Sequence, residues 1–250
     1  MYQTIKVMIR ILFLGLVFIM AVHLSAKPGF AMDTEAGNDM SSQRQDMALN
    51  HALGMTLQGY NLVLLGSMGM SKGVDELSVE HGNMMKKNGS AMWNEIMSGP
   101  VMQGMHHGGK KPLKDPGMAY THELGEKQLV VLALLDEMPT LEKETGMVVH
   151  HQHVMLNQAL KMALEGANSI IMGEMGMARG VDEIAVEQGR MMLKNAKALF
   201  NEIMSGMTMM NMHKSGLTPE SNELMKHTHM LAEAQLQVLT FLDEMPGVNK

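Results

Sequence analysis

Apolar residues recur at helical spacing in two matching stretches of the chain. Leu124, Val131 and Leu135 define the first stretch, and the same spacing returns 107 residues later, from Leu231. Residues three, four or seven positions apart lie on one face of an α-helix, which can then be buried. Alternation of β-branched and polar residues, which would indicate strands, is absent from the sequence. The pattern therefore predicts an all-α fold.

An internal duplication organises the chain. Residues 47–139 align without a gap with residues 154–246, and about half of the aligned positions are identical. The segment GVDEL at 73–77 matches GVDEI at 180–184, and NEIMSG at 94–99 recurs at 201–206. A constant offset over this length indicates two copies of one structural unit. We expect a helical bundle built from two tandem three-helix repeats related by pseudo-symmetry.

The sequence predicts three helices in each repeat. Their expected bounds are 46–65, 74–97 and 116–138 in the first repeat, and 150–172, 181–204 and 219–245 in the second. Thr218 is the expected N-cap of the last helix, with Pro219 at its first position. Residues 98–115 and 205–217 are expected to be loops.

Glycines interrupt the junction between the first and second helix of each repeat. They lie at positions 66, 69 and 73, and again at 173, 176 and 180. We expect a turn at each junction. A kinked continuous helix is the alternative, because one glycine costs a helix only about 1 kcal/mol.

The first residues have the composition of a secretory signal peptide. Lys6 and Arg10 precede an apolar run from Ile11 to Val22, and small residues precede Met32. That run is short for a membrane span, although an uncleaved anchor is the alternative. We expect a signal peptide at 1–31, a disordered linker at 32–45, repeat 1 at 46–139, a linker at 140–153 and repeat 2 at 154–250. The expected location is periplasmic or secreted.

Charge and cysteine content narrow the function. The chain has 20 basic and 26 acidic residues, a net charge of −6, and no cysteine. An acidic surface repels phosphate backbones, so we expect no nucleic-acid partner. Without disulfides, a packed core has to hold the fold.

Methionine is abundant and clusters with histidine after the second helices. The chain contains 33 methionines. Thioether sulfur is a soft, neutral ligand that suits copper(I) or silver(I). Met118/His122 and Met225/His229, spaced i, i+4, can complete such sites. The expected metal ligands are Met97, Met102, Met105, His106, His107, Met118, His122, Met204, Met207, Met209, Met210, Met212, His213, Met225 and His229.

The methionines also have alternative roles, and other Met and His groups are further candidates for metal binding. Methionine also fills irregular gaps in cores, and exposed methionine can act as a sacrificial oxidant sink. The pairs Met68/Met70 and Met175/Met177 resemble a further thioether clamp. A short tract, His150, His151 and His153, is of the kind that takes copper(II), nickel or zinc.

The Met/His segments and the leader resemble those of Met- and His-rich periplasmic proteins of copper and silver resistance. The resemblance rests on residues 97–107 and 204–213 and on the two Met/His pairs. It implies sequestration, storage or delivery of copper(I), or of silver(I), within metal homeostasis, with a periplasmic or outer-membrane efflux protein as a partner. We expect no enzymatic activity. The alternatives are a Met-rich protein-interaction module and a helical bundle that holds non-covalent haem or two metal ions.

Overall fold

A computed structural model describes residues 34–99, Met102, 116–138 and 145–245. These residues form six long α-helices and one short one, without strands. The helices are α1 (Thr34–Ser67), α2 (Asp75–Ser98), α3 (Pro116–Asp136), α4 (Thr145–Glu174), α5 (Asp182–Ser205), α6 (Met207–Lys214) and α7 (Glu223–Asp243). The all-α prediction is therefore confirmed, whereas the predicted signal peptide lies outside the described residues.

The first helix of each repeat is longer than predicted. Helix α1 begins at Thr34, inside the segment expected to be disordered, and α4 begins at Thr145, inside the expected linker. Ser42 and Asp46 in α1, and Val149 and His150 in α4, are buried. These early turns pack against the bundle, and tertiary contacts of this kind outweigh the polar composition that favours disorder.

The prediction of a loop at 205–217 is wrong, because this segment contains α6. Methionine has good helix propensity, and α6 buries Met209 and Met212 on one face. The predicted N-cap of α7 is also wrong. Asn222 caps this helix by accepting a 2.9 Å hydrogen bond from the Met225 N–H, while Thr218 belongs to the preceding turn.

The predicted glycine turns are confirmed at both junctions. Gly69 and Gly73 have φ angles of 69° and 85°, which L side chains rarely adopt. The Asp75 carboxylate accepts a 2.8 Å hydrogen bond from the Ser71 N–H, and Asp182 accepts the equivalent bond from Ala178. These left-handed residues end the preceding helix, so the helices are not continuous.

Two further glycines let α1 and α2 cross in backbone contact. A Cβ on Gly59 would lie 2.6 Å from the Gly82 carbonyl oxygen, and one on Gly82 would lie 2.5 Å from the Gly59 oxygen. Gly166 and Gly189 make the same crossing between α4 and α5. Each helical hairpin therefore depends on the absence of side chains at its crossing point.

A chain of buried amides joins α3, α1 and α4. Gln128 Nε2 donates to Asn50 Oδ1 at 2.9 Å, and Asn50 Nδ2 donates to Asn168 Oδ1 at 3.0 Å. Asn168 then donates to the Met47 carbonyl at 3.3 Å. Trp93 Nε1 of α2 donates to Gln128 Oε1 at 3.2 Å. Each bond satisfies a polar group that would be costly to bury alone.

A second amide chain joins α7, α4 and α1. Gln235 Nε2 donates to Asn157 Oδ1 at 2.7 Å, and Asn157 Nδ2 donates to Asn61 Oδ1 at 2.9 Å. Asn61 donates to the Val154 carbonyl at 3.3 Å. The two chains fix the register of α1 against α4 and tie each to a third helix.

The described residues from Asn38 onward form one packed unit. Its main core is built mostly from leucine and alanine of α1, α4 and α7, with contributions from α3 and α5. A smaller apolar cluster forms where α6 and α7 meet α4. None of the described helices is long and apolar enough to span a membrane.

We predict that Gly59→Ala lowers the free energy of unfolding by about 1–3 kcal/mol, because the new methyl group would overlap the α2 backbone. Gly54→Ala is the matched control on the same helix, since a Cβ there meets nothing within 4 Å. It should stabilise the protein by up to about 1 kcal/mol. Urea denaturation followed by circular dichroism measures both, and equal effects would contradict the crossing.

Candidate metal centre

Helices α6 and α7 bring two Met/His pairs together. Met209 and His213 are spaced i, i+4 on α6, as are Met225 and His229 on α7, so each pair shares a helix face. Met209 and Met225 are buried in one cluster, and the two histidines are partly exposed. The Nε2 atoms of His213 and His229 lie 3.1 Å apart, with the rings stacked at 5.2 Å between centroids.

Methionine side chains form a buried cluster that includes Met209 and Met225, the two residues one helical turn before these histidines. Met209, Met212 and Met225 form a buried cluster with Val149 of α4, and Met204 packs against it from the end of α5. The cluster is small and separate from the main core. Methionine is flexible and polarisable, so these side chains can fill the space or turn their sulfurs toward an ion.

The electrostatics of the site favour a neutral imidazole at His229. Burial lowers the pKa of His229, and the neighbouring His213 lowers it further, while Glu220 opposes them. The pKa of the exposed Glu220 is itself lowered, first by its hydrogen bond to Thr218 and more weakly by the two histidines. A 3.1 Å contact between ring nitrogens requires one ring to donate and the other to accept, so both cannot be protonated at once.

The pair is close to the geometry of a metal site. Metal–imidazole bonds are about 2 Å long, so two nitrogens on opposite sides of one ion lie about 4 Å apart. The two rings would need to separate by about 1 Å from their 3.1 Å contact. Neutral imidazole and thioether donors together suit copper(I) or silver(I).

Carboxylate-rich sites find no support in the described residues. No group of three or more His, Asp or Glu side chains in that part of the chain is arranged to hold a metal ion. The dimetal alternative needs such a group on facing helices.

In the first repeat, the structure describes only some of the predicted ligands. Met97 packs over Gly125 of α3, since a Cβ on that glycine would lie 2.6 Å from the Met97 sulfur. Met102 and Met118 are buried. His122 Nδ1 lies 3.5 Å from Glu126 Oε1, one turn along α3. Met105, His106 and His107 lie outside the described residues.

Two of the methionines predicted as ligands in the second repeat lie outside the cluster. Met207 and Met210 expose 64% and 42% of their surface. The helical form of α6 explains this, because positions 209 and 212 face inward while 207 and 210 face solvent. The turn methionines Met70 and Met177 are exposed as well.

The histidine tract predicted near the start of the second repeat is part of α4. His150 and His153 are buried and His151 is exposed, and His227 of α7 joins the buried pair. Burial lowers the pKa of His153 to about 3, helped by His150 and His227. The i, i+3 spacing of His150 and His153 on a helix signals one shared face. No sequence pattern predicts that His227 lies beside them, because this contact depends on how α7 packs on α4.

Comparison of the chain with protein-family models, with curated proteins and with solved structures finds no match.

We predict that the metal-free protein loses stability as pH falls below about 6.5. Folded His153, with a pKa of about 3 against an ordinary 6.5, stays neutral while the unfolded chain takes up the proton. The free energy of unfolding therefore has its full value at pH values above the pKa of His153 in the unfolded chain. As the pH falls from that pKa toward the pKa in the folded protein, it decreases by up to about 1.4 kcal/mol per pH unit.

Urea denaturation at about pH 7.5 and about pH 5.5 measures this dependence. His153→Gln should flatten it, whereas His151→Gln, at the exposed neighbour on α4, should leave it unchanged. A wild-type slope retained in His153→Gln would contradict the role of His153.

Proposed function

We propose that this protein binds copper(I) or silver(I) and sequesters, stores or delivers it as part of metal homeostasis. The observation that carries the proposal is the facing of His213 Nε2 and His229 Nε2 at 3.1 Å, one helical turn along from Met209 and Met225 of the buried methionine cluster. Both residues were expected as ligands from the sequence, although they belong to different helices. A core-filling role explains the buried methionines but not this pairing of imidazoles.

The donor set supports a monovalent soft cation. Thioether sulfur and neutral imidazole bring no negative charge, and burying a doubly charged ion without charge compensation is costly. Methionine sulfur does not titrate and cannot form disulfides, so thioether ligation tolerates mild acid and an oxidising compartment. This agrees with the proposed periplasmic location, for which the sequence of residues 1–31 is the support.

The duplication supports a second such site in the first repeat. About half of the aligned positions are identical, yet all six site positions are. Met97, Met102, Met105, His106, Met118 and His122 match Met204, Met209, Met212, His213, Met225 and His229. We therefore propose that the first repeat binds the same ion with this matching set, of which the structure describes Met97, Met102, Met118 and His122.

A pseudo-symmetric arrangement of the two repeats is part of the proposal. The members of the two amide chains correspond at the offset of 107, as Asn50 with Asn157, Asn61 with Asn168 and Gln128 with Gln235. The hydrogen bonds correspond in the same order. An approximate two-fold axis between α1 and α4 accounts for this correspondence.

A protein-interaction role is the second candidate. Leu77 and Met84 of α2 are more than half exposed, and their counterparts Ile184 and Met191 of α5 are exposed to a similar degree. Exposed apolar side chains at matched positions favour a contact surface. This function predicts partner binding that does not change when the metal is removed, whereas an efflux partner in metal transfer should bind the loaded form.

We predict that Met209→Leu combined with Met225→Leu weakens copper(I) binding at this site. Leucine keeps the apolar volume and removes the sulfur. The affinity should fall by at least the ~10–100-fold that even an outer-shell change costs a metal site. His213→Ala should have a comparable effect. Competition with a chromophoric copper(I) chelator measures the affinity.

Met207→Leu combined with Met210→Leu is the matched control, because it makes the same change at exposed positions of α6. It should leave the affinity unchanged. Thermal unfolding of the metal-free variants shows whether they remain folded. Unchanged copper(I) stoichiometry and affinity in the folded cluster variant would contradict the proposal, as would an equal loss in the control.

A further inference from the structure

Helices α3 and α7 line an open groove on the surface of the bundle. Tyr120, near the start of α3, stacks on Phe241, near the end of α7, with 4.5 Å between the ring centroids. His227, near the start of α7, hydrogen-bonds to the backbone of Leu134, near the end of α3, so the two helices are antiparallel. Three depressions of about 540, 440 and 510 Å³ lie along them. Gln237 lines all three, so they form one groove.

The groove exposes apolar side chains from both helices. Leu129 and Val130 of α3 expose 50% and 49% of their surface, and Met230 and Leu236 of α7 expose 47% and 42%. All four residues line the groove. Single exposed apolar residues are ordinary on a protein surface, whereas several that line one concave surface, with polar residues around them, mark an interaction site.

The charged residues that line the groove are mostly acidic. Glu123, Glu126, Glu233 and Glu244 line it, and among the described residues around the groove Lys127 is the only lysine or arginine. The Lys127 ammonium lies 3.2 Å from the Glu123 carboxylate, so it does not offset the other three acids. The groove therefore attracts a cationic partner and repels an acidic one.

We propose that this groove binds a basic amphipathic α-helix of a partner protein. An amphipathic helix lays its apolar face into a groove of this kind, and lysine or arginine on its flanks then faces the glutamates. The lining residues of α3 run from Ala119 to Leu134. At 1.5 Å per residue this stretch is about 22 Å long, which matches a partner helix of about four turns.

Charge argues against a second copy of this chain as the occupant. The groove of the second copy carries the same glutamates, so placing the two grooves face to face brings like charges together, which weakens binding. The chain as a whole also has more acidic than basic residues, 26 against 20. A partner helix of opposite charge meets neither obstacle.

The proposal goes beyond metal binding and does not depend on it. The groove nevertheless lies beside predicted metal ligands of both repeats, because His122 lines it, and Met230, which also lines it, follows His229 in the sequence. Metal-free protein is therefore used in every measurement below, so that a failure of the groove and a failure of the proposed metal sites are seen separately.

The first measurement locates the bound helix on the intact protein, labelled with 13C at the methionine methyl groups. The probe is a synthetic peptide of about 18 residues, long enough to fill the groove, made of leucine, alanine and lysine. Its leucines recur at i, i+3, i+4 and i+7, with lysines beside them. The peptide should shift the methyl resonance of Met230 and leave those of Met84 and Met191 unchanged, although these two are equally exposed on α2 and α5. A shift at Met84 or Met191 without one at Met230 would overturn the proposal.

The second measurement compares one substitution at two valines of equal exposure. Val130→Lys should weaken peptide binding by at least about tenfold, because it removes an apolar contact and adds a repelling charge inside the groove. Val181→Lys, at the 51% exposed valine before α5, adds the same charge outside the groove and should leave the affinity nearly unchanged. Fluorescence anisotropy of a labelled peptide measures the affinity, and circular dichroism checks the fold. An equal loss in both variants would show non-specific attraction to an acidic protein and would overturn the groove.

The third measurement tests the charge of the partner. A second peptide, with glutamate in place of every lysine, keeps the apolar face and should bind at least about tenfold more weakly at low salt. Equal binding of the two peptides would overturn the basic partner.

Sedimentation of the protein without peptide tests the other occupant. Any self-association should respond equally to Val130→Lys and Val181→Lys. A dimer that only Val130→Lys dissociates would assign the groove to a second copy of the chain and would overturn the proposal.

Discussion

The structure depends on hydrogen bonds between the side-chain amides that lie between its helices. Asn50, Asn61, Asn157 and Asn168 lie between α1 and α4, where a slip of either helix would leave donors and acceptors unpaired. An unpaired buried polar group costs about 1–3 kcal/mol, more than the net gain from a typical hydrogen bond. Leucine and alanine surfaces alone would tolerate several registers, so the amides select one. Gln128 and Gln235 extend the same constraint to α3 and α7.

That frame brings together two groups of histidines, His213 with His229, and His153 with His150 and His227. A hydrogen bond from Gln235 joins α7 to α4. Helix α7 carries Met225, His227 and His229. His213 and His229 are partly exposed, whereas the hydroxyl of Thr228 holds His153 and the backbone of Leu134 holds His227.

Some residues are identical in the two repeats and others differ. Which residues are identical depends on where they lie in the fold. The glycine crossings, the turn aspartates and the amides are shared because each satisfies a packing or hydrogen-bonding requirement of the frame. The six Met/His positions of the candidate metal site are identical in the two repeats as well. No comparable packing requirement applies to the partly exposed histidines among them. The buried histidines His150, His153 and His227 occur in the second repeat alone. Gln43, Asp46 and Tyr120 stand at the corresponding positions of the first repeat.

Local periodicity and backbone sterics were enough to predict the helical class, the glycine turns and the bounds of α2 and α5 to within one residue, and the duplication is visible in the residues alone. The sequence also predicts Met209, His213, Met225 and His229 as metal ligands, and this stays a prediction. It missed α6, the true cap at Asn222 and the early starts of α1 and α4, since those depend on which faces find a partner in the bundle. The packing of the helices was needed to show that Met207 and Met210 face solvent, that His213 meets His229, and that His227 joins His150 and His153. The reason is that side chains remote in sequence meet only once the buried amides have set the helices in register.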